Sequence, residues 1–196
     1  RLTGGEPLLD KNICNLIKKI SVLTGLKDLA LTTNGILLSS FAHKLASAGL
    51  NRVTVSLDSI DEDIFHKMSG RRGNVKKVLD GIKSAKDAGL GPIKINVVVQ
   101  KFINDHAVLD LLEYFRGTGI IVRLIEFMDV GNRNGWKMNQ VVPSHVLLKR
   151  IQKRWPLQPI DQNYIGEVAQ RYKYDDGEGE VGFISSVTKP FCGDCS

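Results

Sequence analysis

Four short stretches of the chain alternate in polarity with a period near two. They are DLALTTN (28–34), RVTVSLD (52–58), IKINVVVQ (93–100) and IIVRLIEFM (120–128). Each is rich in β-branched and other apolar residues and reads as a strand. Between them, apolar residues recur at spacings of three and four, which predicts amphipathic helices. Asp10 caps one that carries Ile13, Leu16, Ile17, Ile20 and Leu23. Ser39 or Ser40 precedes FAHKLASAGL, with Gly49 as its stop, and Asn74 precedes VKKVLDGIKSAKDAGL, with Gly89 as its stop. Asp105 precedes HAVLDLLEYFRGTG. Strands alternating with helices predict βα units around a parallel sheet or barrel.

The parity within the strands sharpens this. Val53, Val55 and Leu57 share one face, while Thr54, Ser56 and Asp58 share the other. Ile93, Ile95, Val97 and Val99 oppose Lys94, Asn96, Val98 and Gln100, and Leu29, Leu31 and Thr33 oppose Ala30, Thr32 and Asn34. A sheet covered by helices on both sides is apolar on both faces. One apolar and one small or polar face instead predicts a barrel with helices outside and a polar lumen. The loops after the strands then gather at one end, where such barrels carry their chemistry. Near residue 143 the pattern changes. Pro143-Ser144 opens HVLLKRIQKRW, ended by Pro156, and QRYKYDD and EVGFISS then form a hairpin around Gly177 and Gly179. The expected organisation is a partial barrel over residues 1–142 and an extension over 143–196 that leads to FCGDCS.

Composition adds little to the fold but something to the partners. The 196 residues suffice for one domain with a sizeable core and an extension. The apolar and charged fractions, 42% and 24%, are ordinary for a globular chain. No apolar run approaches the ~18 residues of a membrane span. The net charge of +6 allows either a mildly basic surface or attraction of an anionic ligand, but no Lys/Arg block is longer than two, so a nucleic-acid arm is not expected. Three cysteines do not make a disulfide framework and fit thiols kept reduced for metal or redox work. The chain starts at Arg1 rather than Met and reads as cut at both ends.

Candidate chemistry lies at the strand ends. In RLTGGEP (1–7) two glycines let a backbone approach a ligand closely, and Glu6 offers an acceptor to a cationic group. TTNG (32–35) reads as a tight turn, and SLD (56–58) puts a hydroxyl and a carboxylate on the lumen face. Lys94 stands in a Val/Ile-rich strand, where its charge is costly to bury unless an anion meets it; a phosphate or carboxylate ligand explains it better than snorkelling. Arg123 has no assigned role. Met128, at a strand end, suits contact with a flat ring as well as packing. Cys14 belongs to a helix core, and the four histidines lack ligand spacing. CGDC (192–195) admits three readings: a redox pair, half a zinc site, or part of an iron–sulfur site with further ligands elsewhere. The polar-lumen barrel beside it favours the third.

Taken in order, RLTGGEP, TTNG, SLD, the strand-borne Lys94, EFM (126–128) and FCGDC resemble one family over essentially the whole chain. It is the GTP 3′,8-cyclase family of the radical S-adenosylmethionine (SAM) superfamily; Gly-Gly-Glu-Pro alone marks only the superfamily. The resemblance implies an α/β fold, a partial (β/α)6 TIM-like barrel with a C-terminal β-hairpin extension. It implies SAM and two [4Fe–4S] clusters as cofactors, and conversion of GTP to 3′,8-cyclo-7,8-dihydro-GTP, the first step of molybdenum cofactor biosynthesis. The first cluster's CxxxCxxC loop would precede Arg1. Cys192 and Cys195 match two ligands of the second, the third lying past Ser196. Gly4, Gly5 and Glu6 match the motif that receives the amino group of SAM, and Asn34, Ser56 and Met128 match its further contacts. Arg1, Thr32 and Lys94 match GTP-binding positions. In such enzymes a SAM-derived radical takes the ribose 3′-hydrogen of GTP, and the carbon radical attacks C8 of guanine. The supplied segment is expected to be inactive alone. The implied partners are a reductant, a second copy in a homodimer and a downstream synthase forming cyclic pyranopterin monophosphate. The implied compartment is the cytoplasm in bacteria or mitochondria in eukaryotes. The rivals are another radical SAM enzyme with an auxiliary cluster, such as a peptide-modifying one, and a non-catalytic zinc module.

Overall fold

The computed structural model describes residues 1–70, 73–128, 136–163 and 167–189. Four βα-type strands come first: β1 (Ala30–Thr33), β2 (Arg52–Ser56), β3 (Lys94–Val99) and β4 (Ile121–Glu126). They pair in that order, all parallel. The helices around them are α1 (Ile13–Ser21), α2 (Leu38–Ser47), α3 (Glu62–Ser69), α4 (Val75–Asp87), α5 (Val108–Phe115) and α6 (Ser144–Gln152). Three more strands follow: β5 (Leu157–Ile160), β6 (Gln170–Tyr174) and β7 (Glu180–Ile184). The expected hairpin is β6–β7, with Tyr174 N–H donating to Gly179 across the turn. It is not merely appended. β7 pairs parallel with β4, so one seven-stranded sheet runs β1-β2-β3-β4-β7-β6-β5.

The core lies on the outer face, where parity placed it. Leu31, Val53, Val55, Ile95, Val97 and Leu124 are 0–1% exposed and pack against Leu38, Leu45, Val78, Leu111 and Leu112 of the helices. Two glycines let α4 approach the turn after β1. A Cβ at Gly81 would stand 2.6 Å from the Gly35 carbonyl oxygen, and one at Gly35, whose φ is +79°, 2.9 Å from Val55 and Val78 methyls.

Several helix starts differ from expectation for local reasons. Asp10 accepts from Asn12 N–H in the entry turn, and α1 begins three residues later with Asn12 as its N-cap. Of its expected apolar face only Ile13 and Ile17 are buried, while Leu16 and Leu23 are exposed. α2 starts at Leu38, before either serine, because the Asn34-Gly35 turn feeds straight into it. Asp105 accepts from Phe102 N–H in the loop ahead of α5. Asn74 caps α4 as expected, accepting from Lys77 N–H at 2.9 Å. α3 is not among the expected helices; it is short but carries its own signals, Asp61 as N-cap and Gly70 in the left-handed region as its stop. β5 is a further strand beyond those expected; its Pro159 sits on an edge strand, where a missing N–H is tolerated. Among the described residues no helix is long and apolar enough to cross a membrane.

Candidate functional site

Cross-strand register stacks the lumen residues in rows. At the lower level Thr32 pairs with Thr54, Thr54 with Lys94, and Lys94 with Ile121. One level up, Ser56 pairs with Asn96, Asn96 with Arg123, and Arg123 with Gly182. Arg123 therefore belongs to the lumen, and its Nε donates to Asn96 Oδ1 at 2.9 Å. Gly182 makes room for it, since a Cβ there would come within 3.2 Å of Arg123 Cγ. Leu2 bridges Leu31 in parallel on the free side of β1, which puts Arg1, an exposed residue, at the Ala30 level of the same edge.

The floor of the lumen is ionic. Lys94 is 7% exposed, and its Nζ lies 3.9 Å from Glu167 Oε1. No hydrogen bond satisfies that ammonium among the described residues. Burial pulls its pKa below the usual lysine range, Arg123 and Arg52 add to this, and Glu167 and Glu180 oppose it. Arg171 pairs with Glu180 at 2.5 Å, and Arg52 is bound bidentately by Asp28. Part of the anion the Lys94 position called for is thus supplied by the chain. Its neighbour two strands away tells the same story from the neutral side: Thr32 Oγ1 is buried without a hydrogen-bond partner, a cost of about 1–3 kcal/mol unless a ligand meets it.

At the other end of the strands the glycine loop is built differently. Gly4 has φ +112°, and a Cβ on Gly4 or Gly5 would meet nothing within 4 Å, so this backbone stands open. Glu6 does not project into that space. Its carboxylate accepts from Leu8 N–H, from Thr33 Oγ1 at 2.7 Å and from Asn34 N–H at 2.7 Å. It is the staple that ties the loop to the end of β1. Asn34 in turn accepts from Ile36 N–H. Beside this staple lies a pocket of about 200 Å³ that brings together Asn34, Ser56, Asp58, Phe65, Met68 and Ser69. Ser69 Oγ is buried there without a partner. Asp58 accepts from Val98 N–H at 2.8 Å, and burial pushes its pKa up to about 6 against that hydrogen bond. Asp58 lies on the lumen side, where strand parity puts the SLD carboxylate; Phe65, Met68 and Ser69 carry no such signal, because α3 is not expected from the sequence pattern. Open glycines, a neighbouring pocket with polar and apolar lining and an orphaned hydroxyl suit the chemistry of an adenosyl amino acid such as SAM.

Met128 follows β4 at the same end, 42% exposed, and does not line this pocket. Cys192 and Cys195 lie outside the described residues, among which no cluster of three His, Cys, Asp or Glu could hold a metal. Val187 and Thr188, ahead of them in the sequence, are nevertheless well anchored, by the first residue of the EFM motif. Glu126, 1% exposed, accepts from the N–H and Oγ of Ser144 at the start of α6, from Val187 N–H and from the N–H and Oγ1 of Thr188. Burial raises its pKa, but these hydrogen bonds outweigh it and leave the carboxyl below the usual glutamate range. A larger cleft of about 460 Å³ lies next to this anchor, bounded by Tyr172, Phe183 and Lys189. It opens on the outer face, since Phe183 shares the side of Leu124.

Comparison with known proteins accords with this arrangement. The radical SAM superfamily model matches residues 1–115, and a model described as Molybdenum Cofactor Synthesis C matches 120–196. A protein named GTP 3′,8-cyclase from Xanthomonas campestris pv. campestris (strain B100) is 56% identical over 195 residues, covering 100% of this chain and 58% of its own length. Proteins of the same name from Acidothermus cellulolyticus and Staphylococcus epidermidis are 47% and 40% identical, with 54% and 57% of their lengths covered. The chain thus spans little more than half of these relatives. A radical SAM methyltransferase from Sphaerobacter thermophilus shares the fold, with a TM-score of 0.59 at 18% identity over 76% of this chain and 45% of that one. With the superfamily model covering more than half of its residues, and a partial barrel whose glycine loop stands open beside a polar pocket, the chain belongs to the radical SAM superfamily.

Proposed function

We propose that the chain is the barrel portion of a GTP 3′,8-cyclase, which converts GTP to 3′,8-cyclo-7,8-dihydro-GTP in molybdenum cofactor biosynthesis. The observation that carries this reading is the lumen floor. A buried ammonium without a hydrogen bond, Lys94, shares a register row with Thr32, whose hydroxyl is buried and unpartnered. Both lack an oxygen-rich anion, which a triphosphate supplies. Identity of 40–56% to proteins named for this activity supports the same reading.

In this reading the residues divide by level. Gly4 and Gly5 present open backbone to the amino acid end of SAM, and Glu6 holds their loop in place rather than binding it directly. Asn34, Ser56 and Asp58 line the pocket for the nucleoside end, while Met128, outside that pocket, stands exposed after β4 at the same end. Arg1, Thr32, Lys94 and Arg123 face the phosphates of GTP, with charge and donors held in place before the ligand arrives. Glu126 fixes Val187 and Thr188, a few residues ahead of Cys192 and Cys195 in the sequence. SAM and its reducing cluster supply the radical chemistry when bound; the chain orients GTP and keeps water away. The second cluster is assigned to Cys192, Cys195 and a ligand from elsewhere in the protein. A reductant, a homodimer partner and a downstream synthase complete the proposed setting.

The rival, a peptide-modifying radical SAM enzyme, has no use for a phosphate floor. Calorimetric titration of the full-length protein separates the two. GTP binds the native protein, and Lys94→Ala weakens it at least tenfold, as loss of a charged contact requires. Equal GTP affinity in the two proteins, or binding of a peptide in preference to GTP, overturns the assignment.

A further inference from the structure

Lys94 has an unusual keeper. Glu167 comes from the segment between β5 and β6, outside the strands that form the lower lumen, and its side chain is only 4% exposed. Its Oε2 is committed to Asn163 N–H at 2.8 Å, while Oε1 faces Lys94 Nζ at 3.9 Å. That separation is too long for a hydrogen bond and short enough for strong Coulombic coupling in a buried setting. The carboxylate therefore takes none of the ammonium's three donors.

We infer that Glu167 is a positioning residue for anion binding: its fixed carboxylate keeps the Lys94 ammonium charged in the empty barrel, without occupying the donors that a phosphate takes. The ligand assignment rests on the proposed GTP reading; the link between Glu167 and the charge of Lys94 does not. Several charges bear on that proton. Besides burial, Lys94 faces Arg123 on β4 and Arg52 on β2, both of which favour loss of its proton. Arg171 on β6 lines the same small void. Against them stand Glu167 and, more weakly, Glu180 on β7, and Glu180 is already paired with Arg171. Asp28 is likewise bound to Arg52. Glu167 is therefore the carboxylate with a free oxygen turned to Lys94.

The test reads the proton directly. Full-length protein labelled with 13Cε-lysine is titrated by NMR, the Lys94 signal being assigned by its loss in Lys94→Arg. In Glu167→Gln the Lys94 midpoint falls by about one pH unit or more, the size of shift an opposite charge at this distance produces. Glu167→Asp, which keeps the charge, recovers at least half of that shift. Midpoints of the native protein and Glu167→Gln within ~0.3 units of each other overturn the inference. The same proteins are titrated with inorganic triphosphate over the same range. Affinity in Glu167→Gln begins to fall about one pH unit earlier than in the native protein; a purely structural role would weaken binding equally at all pH values and also overturns the inference. If the native protein binds triphosphate at no pH, the GTP reading fails, while the NMR midpoints still decide the role of Glu167.

Discussion

Asp58 and Lys94 show how a lumen residue is read from its neighbours rather than its type. Both are ionisable groups in a mostly apolar strand context, and burial shifts both away from the charged form. For Asp58 the folded pKa of about 6 lies above its unfolded value of ~3.9. The protonated form is thus favoured by folding, and its contribution is present in full below about pH 4 and lost as pH rises through 6. Asp58→Asn keeps the Val98 N–H bond and removes that loss, so its stability relative to the native protein rises by up to about 2 kcal/mol between pH 4 and 7. Chemical denaturation at the two pH values checks this; a pH-independent difference contradicts it. Thr32→Val, which replaces the unpartnered hydroxyl by a methyl, is expected to stabilise the empty protein slightly and to weaken GTP binding several-fold, read by thermal shift with and without nucleotide.

At the scale of elements, Glu126 and Gly81 carry the joints. Glu126 receives five hydrogen bonds that join β4, the start of α6 and the segment after β7. In Glu126→Gln an amide nitrogen must face N–H or O–H donors on either side, at a cost of about 1–3 kcal/mol. Because the folded carboxyl titrates below the usual range, its contribution is present above about pH 5 and fades as pH falls through the depressed value. The variant should lose that acid-side dependence, measurable as denaturation midpoints at pH 4 and pH 7. Gly81→Ala sets a helix-propensity gain of about 1 kcal/mol against a Cβ 2.6 Å from a backbone oxygen. The overpacking cost of ~1–3 kcal/mol wins, and the melting temperature falls. Asn74 was legible as a cap because Asn before a periodic apolar run has few other uses there. Glu126 stood out only as part of EFM, and its role as an anchor did not, because its five donors come from residues 18 to 62 positions away and no local pattern announces them.

The whole molecule repeats that division. Period-two alternation foretold β1 to β4 and the side that faces the lumen, since burial on one face leaves its mark in every strand, and the helices between them foretold the parallel pairing. The register between strands left no such mark, so the row joining Thr32 to Lys94, the place of Arg123 in the lumen and the reach of Glu167 into the floor emerged only from the fold. The hairpin was legible from Gly177 and Gly179, but its merger with the barrel through β7 depends on pairing with a strand more than fifty residues earlier. The resulting fold has an open glycine loop at one end of its lumen and an ionic floor at the other. The most direct test is turnover by the full-length protein, anaerobically reconstituted with iron and sulfide and supplied with SAM, reductant and GTP. The account predicts 3′,8-cyclo-7,8-dihydro-GTP as product, with kcat/KM reduced at least tenfold in Lys94→Ala while SAM binding is retained. Cleavage of SAM with GTP left unconsumed, or an undiminished rate in Lys94→Ala, would contradict it.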